Sequence, residues 1–146
     1  MAYQFSLATV LRVRKLIEER EERLLQQILQ RMASTLQAAS AAEQEIAECN
    51  ASRHTDASQS DTALHVQASY IKLAQLKLHR EALEEQLNKL RGLREVQIDA
   101  YHLAHRNRDM LTEMSAKQRE LYEADAATRE QRDLDDNFIA RKLRAR

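Results

Sequence analysis

The sequence predicts an all-α protein in which two long helices form an antiparallel coiled coil with a C-terminal helical overhang. The 146-residue chain has no Pro and one Gly, the residues that most often mark turns. Ala, Leu, Glu, Gln and Arg, all good helix formers, dominate it. Only 4% of residues are aromatic, which suits narrow seams between helices better than a deep core. We therefore expect a single coiled-coil domain, residues 1–146.

The first helix is predicted over about residues 5–50, with Ser6 as its expected N-cap. Its apolar residues recur mostly at gaps of three and four, which places them on one helix face. Consecutive gaps of four from Leu24 to Met32 indicate a local stutter. Cys49 falls on this stripe and is expected to be a small buried side chain rather than a nucleophile. The stripe consists of Val10, Val13, Ile17, Leu24, Ile28, Met32, Ala39, Ala42, Ile46 and Cys49.

A polar turn is predicted over about residues 51–62, where regular apolar spacing lapses. This run contains no large apolar residue and is rich in Ser, Thr and Asp. Such side chains compete with the helix because they can bond to nearby backbone groups. The turn should therefore separate two antiparallel helices.

The second helix is predicted over about residues 63–143. Gly92 lies inside it and costs about 1 kcal/mol relative to Ala. A second turn at Gly92 would give a three-helix bundle, but its flanks carry no other loop residue, so we favour one continuous helix. The apolar stripe consists of Leu73, Leu76, Leu83, Leu87, Leu90, Ile98, Tyr101, Leu111, Met114 and Leu121.

The predicted turn also sets the register of the two helices. A reversal centred near Ala57 places Gln4 opposite Met110, and roughly 33 residues then project beyond the pair as about 50 Å of single helix. Isolated helices are marginal in water, so this tail should either fray or be covered by another protein. Its apolar residues are Met110, Leu111, Met114, Leu121, Leu134, Phe138, Ile139 and Leu143.

Charge and composition narrow the classes of function. The formal net charge is zero, which gives no reason to expect nucleic acid as a partner. One cysteine cannot form an internal disulfide, and no stretch is apolar enough for a membrane span or a secretory signal. A cytoplasmic location is the resulting expectation.

Basic residues accumulate near both ends of the chain. Arg141, Lys142, Arg144 and Arg146 suit the negative end of a helix dipole, whereas Arg12, Arg14 and Lys15 oppose the dipole at the start. The antiparallel register brings both groups to the open end of the hairpin. That end should be basic and apolar together, and therefore suited to an acidic partner.

No catalytic or cofactor site is predicted, and we expect the protein not to be an enzyme. His102 and His105 share a helical face with Asp99, but a zinc site needs three or four convergent ligands. Cys49 would lie near Leu64, far from these histidines, so we expect a solvated helix face and no metal. The single Gly also precludes a Gly-rich phosphate loop.

Both ends of the sequence resemble the bacterial flagellar FliJ family. The start, Tyr3-Gln-Phe5-Ser-Leu7-Ala-Thr-Val-Leu11-Arg-Val-Arg14-Lys15, is similar to that family's Phe-x-Leu segment followed by Leu and basic residues. The stretch from Arg129 to Asp136 is similar to its C-terminal Arg/Glu run and Leu-Asp-Glu-like motif, with Asp136 in place of the usual Glu. Stalk proteins of related type III secretion systems are also similar.

The resemblance implies a stalk-shaped, non-catalytic component of flagellar type III protein export. It implies binding to the hexameric export ATPase FliI, stimulation of that ATPase, contact with the export gate protein FlhA and handling of export chaperones. Association with the inner face of the membrane would be peripheral, through partners. The open alternative is a structural scaffold or oligomerising coiled coil. The expected ATPase-binding residues are Phe5, Leu7, Leu11, Arg14, Leu134, Asp135, Phe138, Ile139, Arg141 and Lys142.

Overall fold

Two long α-helices make up nearly all of the chain. The computed structural model describes residues 4–56 and 63–144. Helix α1 runs from Ala8 to Asp56 and helix α2 from Ala63 to Arg144. The helices pack against each other, and the described residues contain no strand. The predicted all-α fold is therefore confirmed.

Helix α1 begins and ends later than the sequence predicts. Its first turn is prepared by hydrogen bonds from the Ala8 amide to the Phe5 carbonyl, 3.1 Å, and from the Leu11 amide to the Leu7 carbonyl, 2.9 Å. Residues 51–56, predicted as part of the turn, are helical. The Ser52 hydroxyl donates to the Cys49 carbonyl at 3.1 Å, so this polar side chain bonds within the helix instead of ending it. The rest of the predicted turn, residues 57–62, lies outside the described residues.

The covered face of α1 follows an uninterrupted alternation of gaps of three and four, the spacing of a coiled-coil seam. The predicted stripe is correct from Ile28 to Cys49. It is wrong nearer the start, where Val10, Val13 and Leu24 are exposed and the predicted stutter is absent, because Leu25 occupies the seam. From residue 18 onward the seam consists of Glu18, Glu21, Leu25, Ile28, Met32, Thr35, Ala39, Ala42, Ile46, Cys49 and Arg53.

The covered face of α2 has the same spacing and is partly polar. The predicted positions from Leu73 to Leu90 are correct, as are Tyr101 and Leu111, whereas Met114 and Leu121 are exposed. Several positions of this face that the predicted stripe did not include are occupied by polar residues. This seam consists of Leu73, Leu76, Arg80, Leu83, Leu87, Leu90, Arg94, Gln97, Tyr101, Ala104, Arg108, Leu111 and Ser115.

The residues divide into two units by their internal contacts. One unit, Glu21–Tyr101, holds most of the buried apolar side chains, including Met32, Leu83 and Leu87. The buried Ala42 is small enough to let α2 approach closely. Nearer residues 57–62, the Arg53 guanidinium lies over the Tyr70 ring, 3.8 Å from its centroid. The core of this unit is thin, as expected for a two-helix seam.

The other unit comprises Met1–Arg20 and His102–Arg146. Leu111, Ser115 and Tyr122 are half-buried in it, but every residue from Glu123 to Arg144 is exposed. These 22 residues form the observed overhang, named here the tail. It is shorter than the predicted overhang of about 33 residues.

The register differs from the predicted one, and this difference explains the shorter tail. Glu18 contacts His105 and Arg108, whereas a reversal near Ala57 would place it level with a residue near position 96. The shift amounts to about three helical turns of 3.6 residues. Helix α1 also continues through residues 51–56, which the sequence assigns to the turn. The predicted pairing of Gln4 with Met110 is therefore wrong.

Gly92 lies within α2 and causes no second turn. Among the described residues the three-helix alternative is therefore excluded. A methyl group at Gly92 would meet no heavy atom within 4 Å, and its backbone is not in the left-handed region.

Gly92→Ala should raise the free energy of unfolding by about 0.5–1 kcal/mol, because Ala loses less backbone entropy in a helix. Thermal and urea unfolding followed by circular dichroism would measure the change. The reverse substitution at the exposed Ala82 should lower stability by a similar amount. A destabilised Gly92→Ala variant would contradict the open environment at this position.

Leu73→Cys should form a disulfide with Cys49 within one chain on mild oxidation, because the observed register places these two seam positions level. Leu64→Cys, which the predicted register favours, should not. Gel mobility with and without reductant, together with peptide mapping, distinguishes the two. Efficient crosslinking of Leu64→Cys, with none of Leu73→Cys, would support the predicted register instead of the observed one.

Candidate partner-binding surfaces

The N-terminal residues expected to bind a partner have mixed exposure. Phe5, Leu7 and Leu11 are half-buried, and Leu7 and Leu11 continue the seam of α1. Arg14 is exposed. The apolar members of this group therefore contribute to packing within the hairpin, and a partner could reach them only in part.

The C-terminal residues expected to bind a partner are all exposed on the tail. Leu134 and Phe138 are four residues apart and share one face of the helix, while Ile139 and Leu143 share another. Each of these four side chains is between 55% and 69% exposed. Asp135 and the basic last turn, with Arg141, Lys142 and Arg144, complete a mixed apolar and charged surface. The Lys142 amine lies 5.9 Å from the centroid of the Phe138 ring.

The two groups do not form one surface. Given the register, Leu11 lies level with Leu111 and Leu7 with Ser115. Leu134 is about 30 Å farther along α2, since a helix rises about 1.5 Å per residue. The predicted basic and apolar open end is therefore two separate surfaces, and the tail is the one whose large side chains are uncovered.

A polar cluster that the sequence pattern did not reveal lies in the seam of the unit formed by Met1–Arg20 and His102–Arg146. Glu18 accepts hydrogen bonds from Arg108, with its Oε2 2.7 Å from Nε and its Oε1 3.0 Å from Nη2. His105 Nδ1 lies 2.6 Å from the same Oε1. Asp109 completes the cluster, 3.1 Å from His105 Nε2 and 2.6 Å from Arg108 Nη1. The paired geometry of the Arg–carboxylate contact fixes both distance and orientation.

The electrostatics of the cluster centre on Glu18, whose side chain is only 14% exposed. Hydrogen bonding from Arg108 lowers the pKa of Glu18 from its ordinary value of 4.5 to about 2, against the opposing effect of burial and with a further contribution from His105. Glu18 therefore carries its charge in the folded protein at neutral pH. The cluster holds α1 and α2 in one register where the seam is not apolar.

A second polar contact supports the register in the unit Glu21–Tyr101. Gln97 Nε2 donates to the Glu21 carboxylate at 2.6 Å and to the Glu21 backbone carbonyl at 3.0 Å. Glu18 and Glu21 could have been found from sequence by extending the seam spacing backward from Ile28 through Leu25. The apolar stripe of Val10, Ile17 and Leu24 concealed that extension.

The histidines provide no metal centre among the residues that the structure describes. Within 4–56 and 63–144, no group of three or more His, Cys, Asp or Glu side chains is arranged to hold a metal ion. Cys49 is half-buried in the seam.

Comparisons with known proteins found no relative from which a function could be inferred. No protein-family model matches the chain, and no curated protein or solved structure is significantly similar to it. In the described part of the chain, neither helix contains a stretch apolar enough to cross a membrane.

Glu18→Gln should lower the free energy of unfolding at pH 7 by about 1–3 kcal/mol, since it replaces the seam carboxylate that contacts Arg108 and His105 with a neutral amide. The pKa of Glu18 is depressed in the folded state, so its stabilisation is present above pH 4.5 and is lost as the pH falls toward 2. The difference between wild type and variant should shrink over that range. Urea unfolding at several pH values would measure it.

The matched control for Glu18 is Glu85→Gln. Glu85 pairs with Lys89 one turn away, but its side chain is 70% exposed. Solvent screens such pairs, so this substitution should change stability little. Equal losses in the two variants would show that burial in the seam adds nothing to the Glu18 contact.

Proposed function

We propose that this protein is a non-catalytic stalk component of flagellar type III protein export that binds and stimulates the hexameric export ATPase through its tail. The exposed tail, Glu123–Arg144, is the observation that carries the proposal. Four large apolar side chains lie on a helix that has no neighbour within the described chain. Coupling to the export gate and to export chaperones, from a peripheral position at the inner face of the cell membrane, completes the proposed role.

The energetics of the tail support a binding role. A single helix has little stability in water unless one of its faces is packed. Leu134 and Phe138 offer anchors on one face, and aromatic and aliphatic anchors in a partner's pocket can supply much of a binding energy. Binding a protein partner would therefore bury more apolar area on the tail than on the seam, whose apolar residues are already covered.

The charges of the tail support a partner with acidic surfaces. Arg141, Lys142 and Arg144 lie in the last turn of α2. They would suit acidic loops lining the central opening of a ring, because complementary charge speeds association and orients the partners. The resemblance of residues 129–136 to the FliJ C-terminal motif points to the export ATPase as that ring.

The tail can be tested in binding and ATPase-stimulation assays with the cognate export ATPase. Leu134→Ala and Phe138→Ala should each weaken binding by about 2 kcal/mol, close to thirtyfold, if the residue is a buried anchor. Leu78→Ala is the matched control, since Leu78 is as exposed as Leu134 but lies far from the tail in sequence. Reversing the charges of Arg141, Lys142, Arg144 and Arg146 should mainly slow association and alter its salt dependence.

Removal of residues 129–146 provides the decisive comparison. The truncated protein should remain helical and lose both binding and stimulation of the ATPase. Retention of both activities would refute the tail as the docking element. Tight self-pairing along the whole length, with no ATPase binding, would instead favour the structural scaffold.

A further inference from the structure

The unit formed by Met1–Arg20 and His102–Arg146 carries a second apolar surface, separate from the seam and the tail. Its side chains are between 37% and 68% exposed. We name it the flank face. It consists of Val10, Val13 and Ile17 on α1 and Leu103, Met110, Met114 and Leu121 on α2.

The flank face lies on one side of the hairpin. Val10 and Ile17 each directly precede a seam position of α1, and Met114 and Leu121 precede the corresponding positions of α2. In an antiparallel coiled coil, residues at these equivalent positions flank the seam on the same side. Val13 and Met110 are three or four residues from these, and Leu103 lies seven residues, about two turns, before Met110, so they extend the same face. The opposite flank carries mainly polar side chains, including Lys15, His105, Thr112 and Arg119.

The spacing of the α2 residues is the same when read in either direction. From Leu103 through Met110 and Met114 to Leu121, the gaps are seven, four and seven. An antiparallel second copy of this helix would therefore place Leu103 against Leu121 and Met110 against Met114. This is the reciprocal pairing that a two-fold interface requires. We propose that the flank face is the site at which a second copy of this chain packs antiparallel.

The α1 residues fit the same two-fold axis. Val10 and Ile17 would exchange places about a centre near Val13, while the α2 stripe is centred on Thr112. The contacts of Glu18 with Arg108 and His105 set the register so that Val13 and Thr112 are approximately level. One axis therefore relates both stripes to their copies, and the dimer is a four-helix arrangement in this region.

Charges on the rim of the α2 stripe agree with this packing. Arg106 and Glu120 occupy equivalent rim positions on either side of the centre, so each would approach the other in the second copy. Glu113 would approach its own copy near the axis, and Lys117, which lies in line with the stripe seven residues after Met110, is one turn away and would offset that repulsion. Exposed pairs of this kind contribute orientation more than affinity.

The area of the flank face limits the strength of the dimer. Its α2 stripe is about 27 Å long at 1.5 Å per residue. Two packed helices offer a width of about 20 Å, given axes about 10 Å apart. Each copy would then cover roughly 500 Å², which is below the roughly 800 Å² per partner of a standard stable interface. The dimer should be weak, with a dissociation constant in the micromolar range.

Sedimentation equilibrium of the full-length protein over micromolar concentrations would test the association. The wild type should show a reversible monomer–dimer equilibrium. Met110→Glu should weaken it at least about tenfold, because the carboxylate would enter an apolar contact. Leu78→Glu is the matched control, since Leu78 and Met110 are 66% and 64% exposed, and it should leave the dimer unchanged.

Disulfide crosslinking in a Cys49→Ser background would test the geometry. Leu103→Cys and Leu121→Cys proteins should crosslink when mixed, whereas each alone should not, since equivalent positions lie about 27 Å apart along the antiparallel pair. Arg106→Glu should weaken the dimer, and adding Glu120→Arg to the same chain should restore it. Circular dichroism would confirm that each variant remains helical.

These experiments separate self-association from the proposed export function. The flank face contains none of the tail residues, so loss of ATPase binding on removal of residues 129–146 neither requires nor excludes the dimer. A monomer at high-micromolar concentration would overturn the proposal and leave the face to a helix of another protein. Equal crosslinking of Leu103→Cys alone and in the mixture, or a dimer unaffected by Met110→Glu, would overturn the antiparallel pairing.

Discussion

The contacts between α1 and α2 depend on the strict alternation of gaps of three and four along the seam. Between Met32 and Cys49 the seam is apolar or small on α1, and opposite it α2 supplies Leu73, Leu83 and Leu87. Because a long helix changes its facing direction only gradually, the phase fixed there extends along α1. At residues 18 and 21 that phase brings acidic side chains into the seam. Arg108 and Gln97 then satisfy them by hydrogen bonds, which a shifted register would break.

Because the two helices differ in length, one part of α2 is covered by α1 and its C-terminal part is left uncovered. Helix α1 has 49 residues and α2 has 82, so the end of α2 has no partner in α1. The start of α1 near Leu7 reaches only the region of Ser115. Beyond Tyr122, the uncovered residues must be stabilised by intrahelical bonds alone or by another molecule. The register therefore decides how much of α2 is available to a partner.

The sequence was sufficient to predict the helices but not their phase or register throughout. Ile28 to Cys49 and Leu73 to Leu90 were placed correctly, because only one stripe in those segments is consistently apolar. Near the start, Val10, Val13, Ile17 and Leu24 form the more apolar stripe, yet Leu11, Glu18 and Leu25 occupy the seam. The prediction for residues 51–56 is wrong for a different reason. Their Ser, Thr and Asp residues disfavour a helix locally, but one seam residue per turn is enough to continue the packing of α1. Arg53 is that residue, and its guanidinium packs over the Tyr70 ring.

Two stripes near the start of α1 compete for the seam, and the outcome explains why the flank face is exposed. A small rotation of α1 would bury Val10 and Ile17 in place of Leu11 and Glu18, so the net gain in apolar burial would be about one side chain, at about 25 cal/mol per Å² removed from water. That rotation would cost the paired contacts of Glu18 with Arg108 and would remove the Glu18 carboxylate from a charged guanidinium in the seam. The observed phase therefore keeps an ion pair inside and a mainly apolar stripe outside. A local arrangement that gives up apolar burial in this way is typical of surfaces used for binding. The polar cluster thus does more than set the register, since it presents the flank face to a second chain.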